Sequence, residues 1–145
     1  MTRADPAGRR RAREAALQML YQWEVGRMGA YEAVATYWPA QDPDDDVGEE
    51  LRTFANALVK GTIERVAEID SLLSARARNW RVERMAAVDR LVLRLAVFEL
   101  LSAPDTPAKV VINDALELTR TFSGDEAVAF VNGVLDAVRK DLGRE

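Results

Sequence analysis

From Met85 to Leu101, hydrophobic side chains recur on almost every side of a helical wheel. Val88, Leu91, Val92, Leu95 and Phe98 share one broad face, while Leu93, Ala96, Val97 and Leu100 fill most of the other. The polar sector shrinks to Arg90 and Arg94, with Asp89 at its margin. A helix apolar nearly all round is one covered by neighbours on several sides. The pattern therefore predicts a central buried helix over 85–101. At 1.5 Å per residue it would span about 25 Å, short for a bilayer, and its internal charges argue against a membrane. Glu99 falls inside the apolar sector near the helix C-terminus, where an anion is disfavoured. A buried carboxylate needs donors, so Glu99 is expected to act as an internal brace rather than as a catalytic group.

The same 3.6-residue period organises the rest of the chain. Residues 1–8, with Pro6 and Gly8, are expected to be a mobile tail. From Arg9 a first helix carries Ala12, Ala16, Met19, Leu20 and Trp23 on one stripe and ends at Gly26 and Gly29. A short helix follows with Tyr31, Val34, Ala35 and Trp38 inward, stopped by Pro39. Residues 39–48 (PAQDPDDDVG) read as an acidic linker, the best internal boundary although too short to separate independent domains. A long amphipathic helix then runs from about Glu49 to about Arg76 through Leu51, Ala55, Leu58, Thr62, Ile69 and Leu73. Gly61 within it marks a close crossing or a slight bend. Asn79 and Trp80 lead into the central helix.

Beyond the central helix, Pro104 and Pro107 frame a loop, and Thr106-Pro107 signals a new start. Val111, Ala115, Leu118 and Phe122 then repeat at helical spacing. Ser123 to Glu126 is expected to form a capping box for a last helix that packs through Ala127, Val131, Val134, Val138 and Leu142. Gly133, mid-helix, is read as a close backbone contact. Phe130 sits at the edge of the apolar stripe, either flanking the core or offering a ring on which a base could stack. No strand-like alternation is present, so the expected fold is all-α, a bundle of six or seven helices around the 85–101 segment.

Charge changes this picture only at one end. The net charge of the 145 residues is −4, which by itself points to no polyanion. Yet the first thirteen residues hold Arg3, Arg9, Arg10, Arg11 and Arg13 against one aspartate, a local charge of +4 that leaves −8 on the rest. Arginines at a helix N-terminus have the wrong sign for the dipole unless an anion joins them, and helix N-termini are ready phosphate sites. RRRAR is thus either a solvated basic end or a nucleic-acid contact. With no cysteine and no histidine, the chain lacks thiol chemistry, disulfides, zinc ligands and the commonest general base. No leading apolar segment or spanning run is present, and a cytoplasmic location is the expectation. Among numerous carboxylates, no pair falls by pattern into an evident catalytic pocket.

Four stretches together resemble the NusB family: RRRAREAALQMLYQWEV, VDRLVLRLAVFEL, PAKVVINDALELTRTF and FVNGVLDAV. They follow in order over nearly the whole chain, leaving residues 26–50 poorly matched. The resemblance implies one domain of two small helical subdomains, about 9–78 and 79–143, packed nearly perpendicular. It implies an antitermination factor, not an enzyme and without cofactor or metal, that binds boxA RNA of ribosomal RNA leader transcripts together with NusE, a small-subunit ribosomal protein. Such a complex helps RNA polymerase pass terminators. By position, Arg9, Arg10, Arg11 and Arg13 would grip the RNA backbone, Phe130 would stack on a base, and Glu126 would lie along the same RNA face. Tyr21 and Asp89 match positions that face NusE, although Asp89 also reads as an ordinary surface charge. Val128 and Ala129 depart from the polar or basic residues that could help a phosphate contact there. Two readings remain beside this one. A self-associating homodimer could cover the basic face and act as a protein-interaction module that binds no RNA on its own. A NusB-like domain also precedes the catalytic domain of certain ribosomal RNA methyltransferases, but no glycine-rich cofactor loop and no cysteine nucleophile are present here.

Overall fold

The computed structural model describes residues 6–77 and 81–145. Residues 1–5 of the expected tail over 1–8, with Arg3, and the Asn79-Trp80 lead-in lie outside the described residues. Seven α-helices and three short 3-10 turns make up the described chain, with no strand among them. The helices are α1 (Pro6–Glu24), α2 (Ala30–Tyr37), α3 (Glu49–Glu64), α4 (Val66–Arg76), α5 (Ala87–Ser102), α6 (Ala108–Phe122) and α7 (Asp125–Asp141). They divide into two compact units, Met1–Ile63 and Glu64–Glu145. The division falls well before 78/79, because α4 packs on α5 and α7 and so belongs to unit two. The acidic segment 39–48 lies wholly inside unit one.

In unit one, α1 begins at Pro6, so Pro6 and Gly8 are helical rather than part of a tail. Proline suits a first helical turn, where its missing N–H has no partner to lose. One consequence follows for the arginines: Arg9 is already the fourth residue of α1. The helix dipole fades within the first turn. The arginines therefore present side-chain cations and not a helix-end anion site. Toward the inside α1 buries Ala12, Ala15, Ala16, Leu17, Met19 and Leu20. It ends at Glu24, and Arg27, not a glycine, takes the left-handed conformation with φ 57° that turns the chain.

The expected inner face of α2 is displaced by one position. Ala33 is the buried residue, whereas Tyr31 is 82% exposed and Ala35 is exposed. Trp38 is half-buried, and its indole Nε1 donates to Asn56 Oδ1 of α3 at 2.9 Å. The long helix expected over 49–76 is two helices. The chain leaves helical geometry at Arg65 (φ −108°, ψ 20°), four residues after Gly61. Arg65 then pairs with Glu68 through Nε–Oε1 at 2.9 Å and Nη2–Oε2 at 3.1 Å, which stabilises the start of α4.

Unit two is built on α5, which packs against α4, α6 and α7. Leu91 to Val97, Glu99 and Leu100 are all buried. The helix starts at Ala87 rather than Met85, since Val82–Arg84 forms a 3-10 turn and Met85 is extended after it. The expected polar sector is not solvated. Arg94 is 8% exposed and forks onto Asp70 of α4, with Nε–Oδ1 at 2.9 Å and Nη2–Oδ2 at 2.8 Å. Arg90 reaches back to the carbonyl of Met85 at 2.8 Å, holding the incoming turn. Bidentate pairing is what allows a guanidinium to enter a helix–helix contact. Glu99 is 1% exposed, buried as its place in the pattern requires.

A capping box is not what starts α7. Ser123 continues α6 as its C-terminal cap, and Gly124 (φ 143°, ψ 163°) makes the turn with no side-chain cap. That backbone region is closed to other residues, so the glycine is required there. Asp125 and Glu126 instead favour the helix start by their charge at the positive end of the dipole. Inward, α7 presents Val131, Val134, Leu135 and Val138. At the chain's end Arg144 donates to the carbonyls of Leu100 and Thr106, satisfying an acceptor at the C-terminus of α5.

Candidate nucleic-acid interface

The four arginines of α1 do not share one environment. Arg10 and Arg11 are exposed, Arg9 is half-buried, and Arg13 is only 3% exposed. Phe54 of α3 explains the difference. The Arg9 guanidinium lies 4.3 Å from the centroid of the Phe54 ring, and Arg13 lies 5.4 Å from the same ring. A guanidinium on an aromatic face keeps its in-plane N–H donors directed outward, so stacking orients Arg9 without consuming its hydrogen bonds. Arg13, enclosed, supports that arrangement from inside and does not offer a free face to a phosphate. Its burial has a signal in the sequence: Arg13, Ala16, Leu17 and Leu20 are spaced i, i+3, i+4, i+7, the period of the inner stripe. Phe54 was not singled out by sequence reasoning, since it sits between the stripe positions Leu51 and Ala55.

Beside these arginines, Arg11 Nη2 donates to the Asp45 carbonyl. A cavity of about 540 Å³ lies here, lined among others by Arg11, Glu14, Gln18, Tyr37 and Asp45. Tyr37 donates to Gln18 Oε1, and burial, followed by the nearby Glu14 carboxylate, pushes its phenol above the usual range. Arg52 pairs with Asp46 at 2.7 Å and lies 5.3 Å from the Trp38 ring. Its hydrogen bond is the main cause that holds the Asp46 carboxyl below the ordinary carboxylate range. Near the end of α1, Tyr21 is 40% exposed, and Val25, just past the helix with its amide on the Tyr21 carbonyl, is 46% exposed.

The remaining candidates belong to unit two. Glu126 is exposed in the first turn of α7, and Phe130 follows one turn later, half-buried at the margin of the inward stripe. Val128 is half-buried and Ala129 exposed. Gly133 is not a packing contact: a methyl group placed on it would meet nothing within 4 Å. Ala129, Asn132 and Gly133, the neighbours of Phe130 along α7, are all exposed. Asp89 stands in the first turn of α5, half-buried, and its Oδ1 is enclosed without a hydrogen-bond partner. No cluster of three or more potential metal ligands occurs among the described residues.

Fold and site together define an all-helical protein whose first helix carries a braced group of arginines and whose last helix presents a marginal aromatic ring. The chain belongs to the NusB family: the sequence profile of that family matches residues 10–140. It is 47% identical over 136 residues to the transcription antitermination protein NusB of Solibacter usitatus, covering 94% of this chain and 91% of that one. Its structure is similar to that of T. maritima NusB, with a TM-score of 0.80, 33% identity and coverage of 92% and 91%. It is also similar to a chain from a crystal structure of antitermination factors NusB and NusE in complex with dsRNA. There the TM-score is 0.83 at 27% identity, covering 93% of this chain and 98% of that one.

Proposed function

We propose that this chain is a transcription antitermination factor that binds boxA-type RNA of ribosomal RNA leader transcripts together with NusE, and so helps RNA polymerase pass terminators in the cytoplasm. It works by binding and carries out no catalysis. The observation that supports this most directly is the set Arg9, Arg10 and Arg11 on consecutive positions of α1, with Arg9 braced on Phe54. Cations so placed contact phosphates, which fix position and carry little sequence information. Phe130 adds a stacking face, and Glu126, one turn earlier on α7, contributes an acceptor for base or ribose donors. Arg13 acts indirectly, by holding Phe54 and hence Arg9.

Tyr21 and Asp89 are the proposed NusE contacts. The exposed Tyr21–Val25 pair gives the end of α1 and the turn after it an apolar surface suited to a protein partner, and tyrosine is enriched in such contacts. Asp89 is half-buried in the first turn of α5, so part of it remains accessible to that partner. The test is a titration of labelled boxA RNA with the protein, alone and with NusE, against a scrambled RNA. The expected result is tighter binding to boxA RNA and a further gain with NusE. Equal affinity for the scrambled strand, or a homodimer in sedimentation that persists unchanged with RNA, would replace this reading by the self-associating module.

A further inference from the structure

Unit one folds its most acidic segment against its most basic helix. Residues 42–46 carry four aspartates around Pro43, and the segment is structured at both ends. Asp42 Oδ1 accepts from the Asp44 amide at 3.0 Å to start the 3-10 turn Pro43–Asp45. Asp46 is tied to Arg52 of α3, which itself lies over Trp38. Between these two anchors the Asp45 carbonyl accepts from Arg11 of α1. Arg11 and the four aspartates line the same cavity, so this cation lies beside the most acidic segment of unit one.

We propose that the aspartate segment 42–46 is a built-in competitor of RNA, which holds the Arg11 guanidinium in the place that a phosphate would take. This rests on the RNA-binding reading above. A carbonyl oxygen flanked by carboxylates offers a guanidinium the same chemistry as a phosphate, a negatively polarised acceptor. Being part of the chain, it is always present at high effective concentration. An RNA backbone must therefore displace Arg11 from the segment before using it. The consequence is weaker binding of every RNA, specific or not, while base contacts made elsewhere lose nothing. The ratio of affinities between RNAs is unchanged, and only the absolute affinity falls. A partner that draws the segment away from α1 would raise RNA affinity without touching RNA.

The experiment is a double-mutant cycle on the full chain, with labelled boxA RNA and a uridine homopolymer as probes at low salt. Asp44→Asn with Asp45→Asn removes two exposed carboxylates and leaves the anchors Asp42 and Asp46 in place. It is expected to tighten both probes about fivefold, an effect that shrinks as salt rises toward the physiological range. Arg11→Ala is expected to weaken binding less than about twofold in the natural chain and about fivefold or more in the Asn variant, because without the neighbouring carboxylates the Asp45 carbonyl alone competes less well with a phosphate for Arg11. Equal effects of Arg11→Ala in both backgrounds overturn the competition while leaving RNA binding intact. Failure of every variant to bind either probe overturns the RNA-binding reading and this inference with it.

Discussion

Arg9, Arg10, Arg11 and Arg13 look alike in the sequence but differ physically once α1 is placed. Arg10→Ala is expected to weaken all RNAs similarly and leave the melting temperature unchanged, because the side chain is exposed. Arg13→Ala should instead destabilise the fold by on the order of 2 kcal/mol, through the lost packing of its stem and the lost contact with Phe54. Thermal unfolding and RNA titration on the same two variants separate these roles. For Phe130→Ala the expectation is a loss of about 1–3 kcal/mol in RNA affinity if the ring stacks on a base. An unchanged affinity with lower stability would mean that Phe130 only flanks the core. Its marginal position was legible from the period of α7, whereas the brace on Arg9 was not, since Phe54 lies more than forty residues away along the chain.

Elements were legible where the period was strong and uncertain where local chemistry competes. The buried α5, the stripes of α1 and α7, the α6 stripe through Val111, Ala115 and Leu118 but not the exposed Phe122, and the start of α6 after Pro107 follow from hydrophobic spacing. One turn differs from its expectation. Ser123 to Glu126 has the composition of a capping box, yet the left-handed turn at Gly124 replaces it. Gly124→Ala is accordingly expected to lower stability, since φ 143° is open to glycine alone. Gly133→Ala should do the reverse and raise stability by about 0.5–1 kcal/mol, because the site is open and helical, and denaturant unfolding would show either change. Within unit two, Arg76 forks onto Asp141 and ties α4 to the end of α7. That hydrogen bond, followed by charge attraction, holds the Asp141 carboxyl below its usual range. A depressed carboxylate contributes stability above its unfolded value, near 3.9, and loses it as pH falls through the folded one. Arg76→Gln should therefore make acid unfolding, followed by circular dichroism, begin at a higher pH.

For the molecule as a whole, the number of arginines that reach RNA sets its response to salt. Counting four would give a log–log slope near −3 on a single strand, but with Arg13 buried and Arg11 engaged by the acidic segment two remain and the expected slope is between about −1 and −2. A salt-independent affinity would remove the phosphate contacts from the account altogether. The helical class, the buried centre, the basic first helix and the family were determined by the sequence alone, because hydrophobic period and motif order survive without coordinates. Tertiary structure alone decided that α4 belongs with the second unit, that Arg94 is an internal strut, that Phe54 is the ring beside Arg9 and Arg13, and that the acidic segment meets Arg11. The reason is the same each time. A side chain's partner is set by what packing brings beside it, and for charged residues that partner can bury a group which its own helix would leave in water.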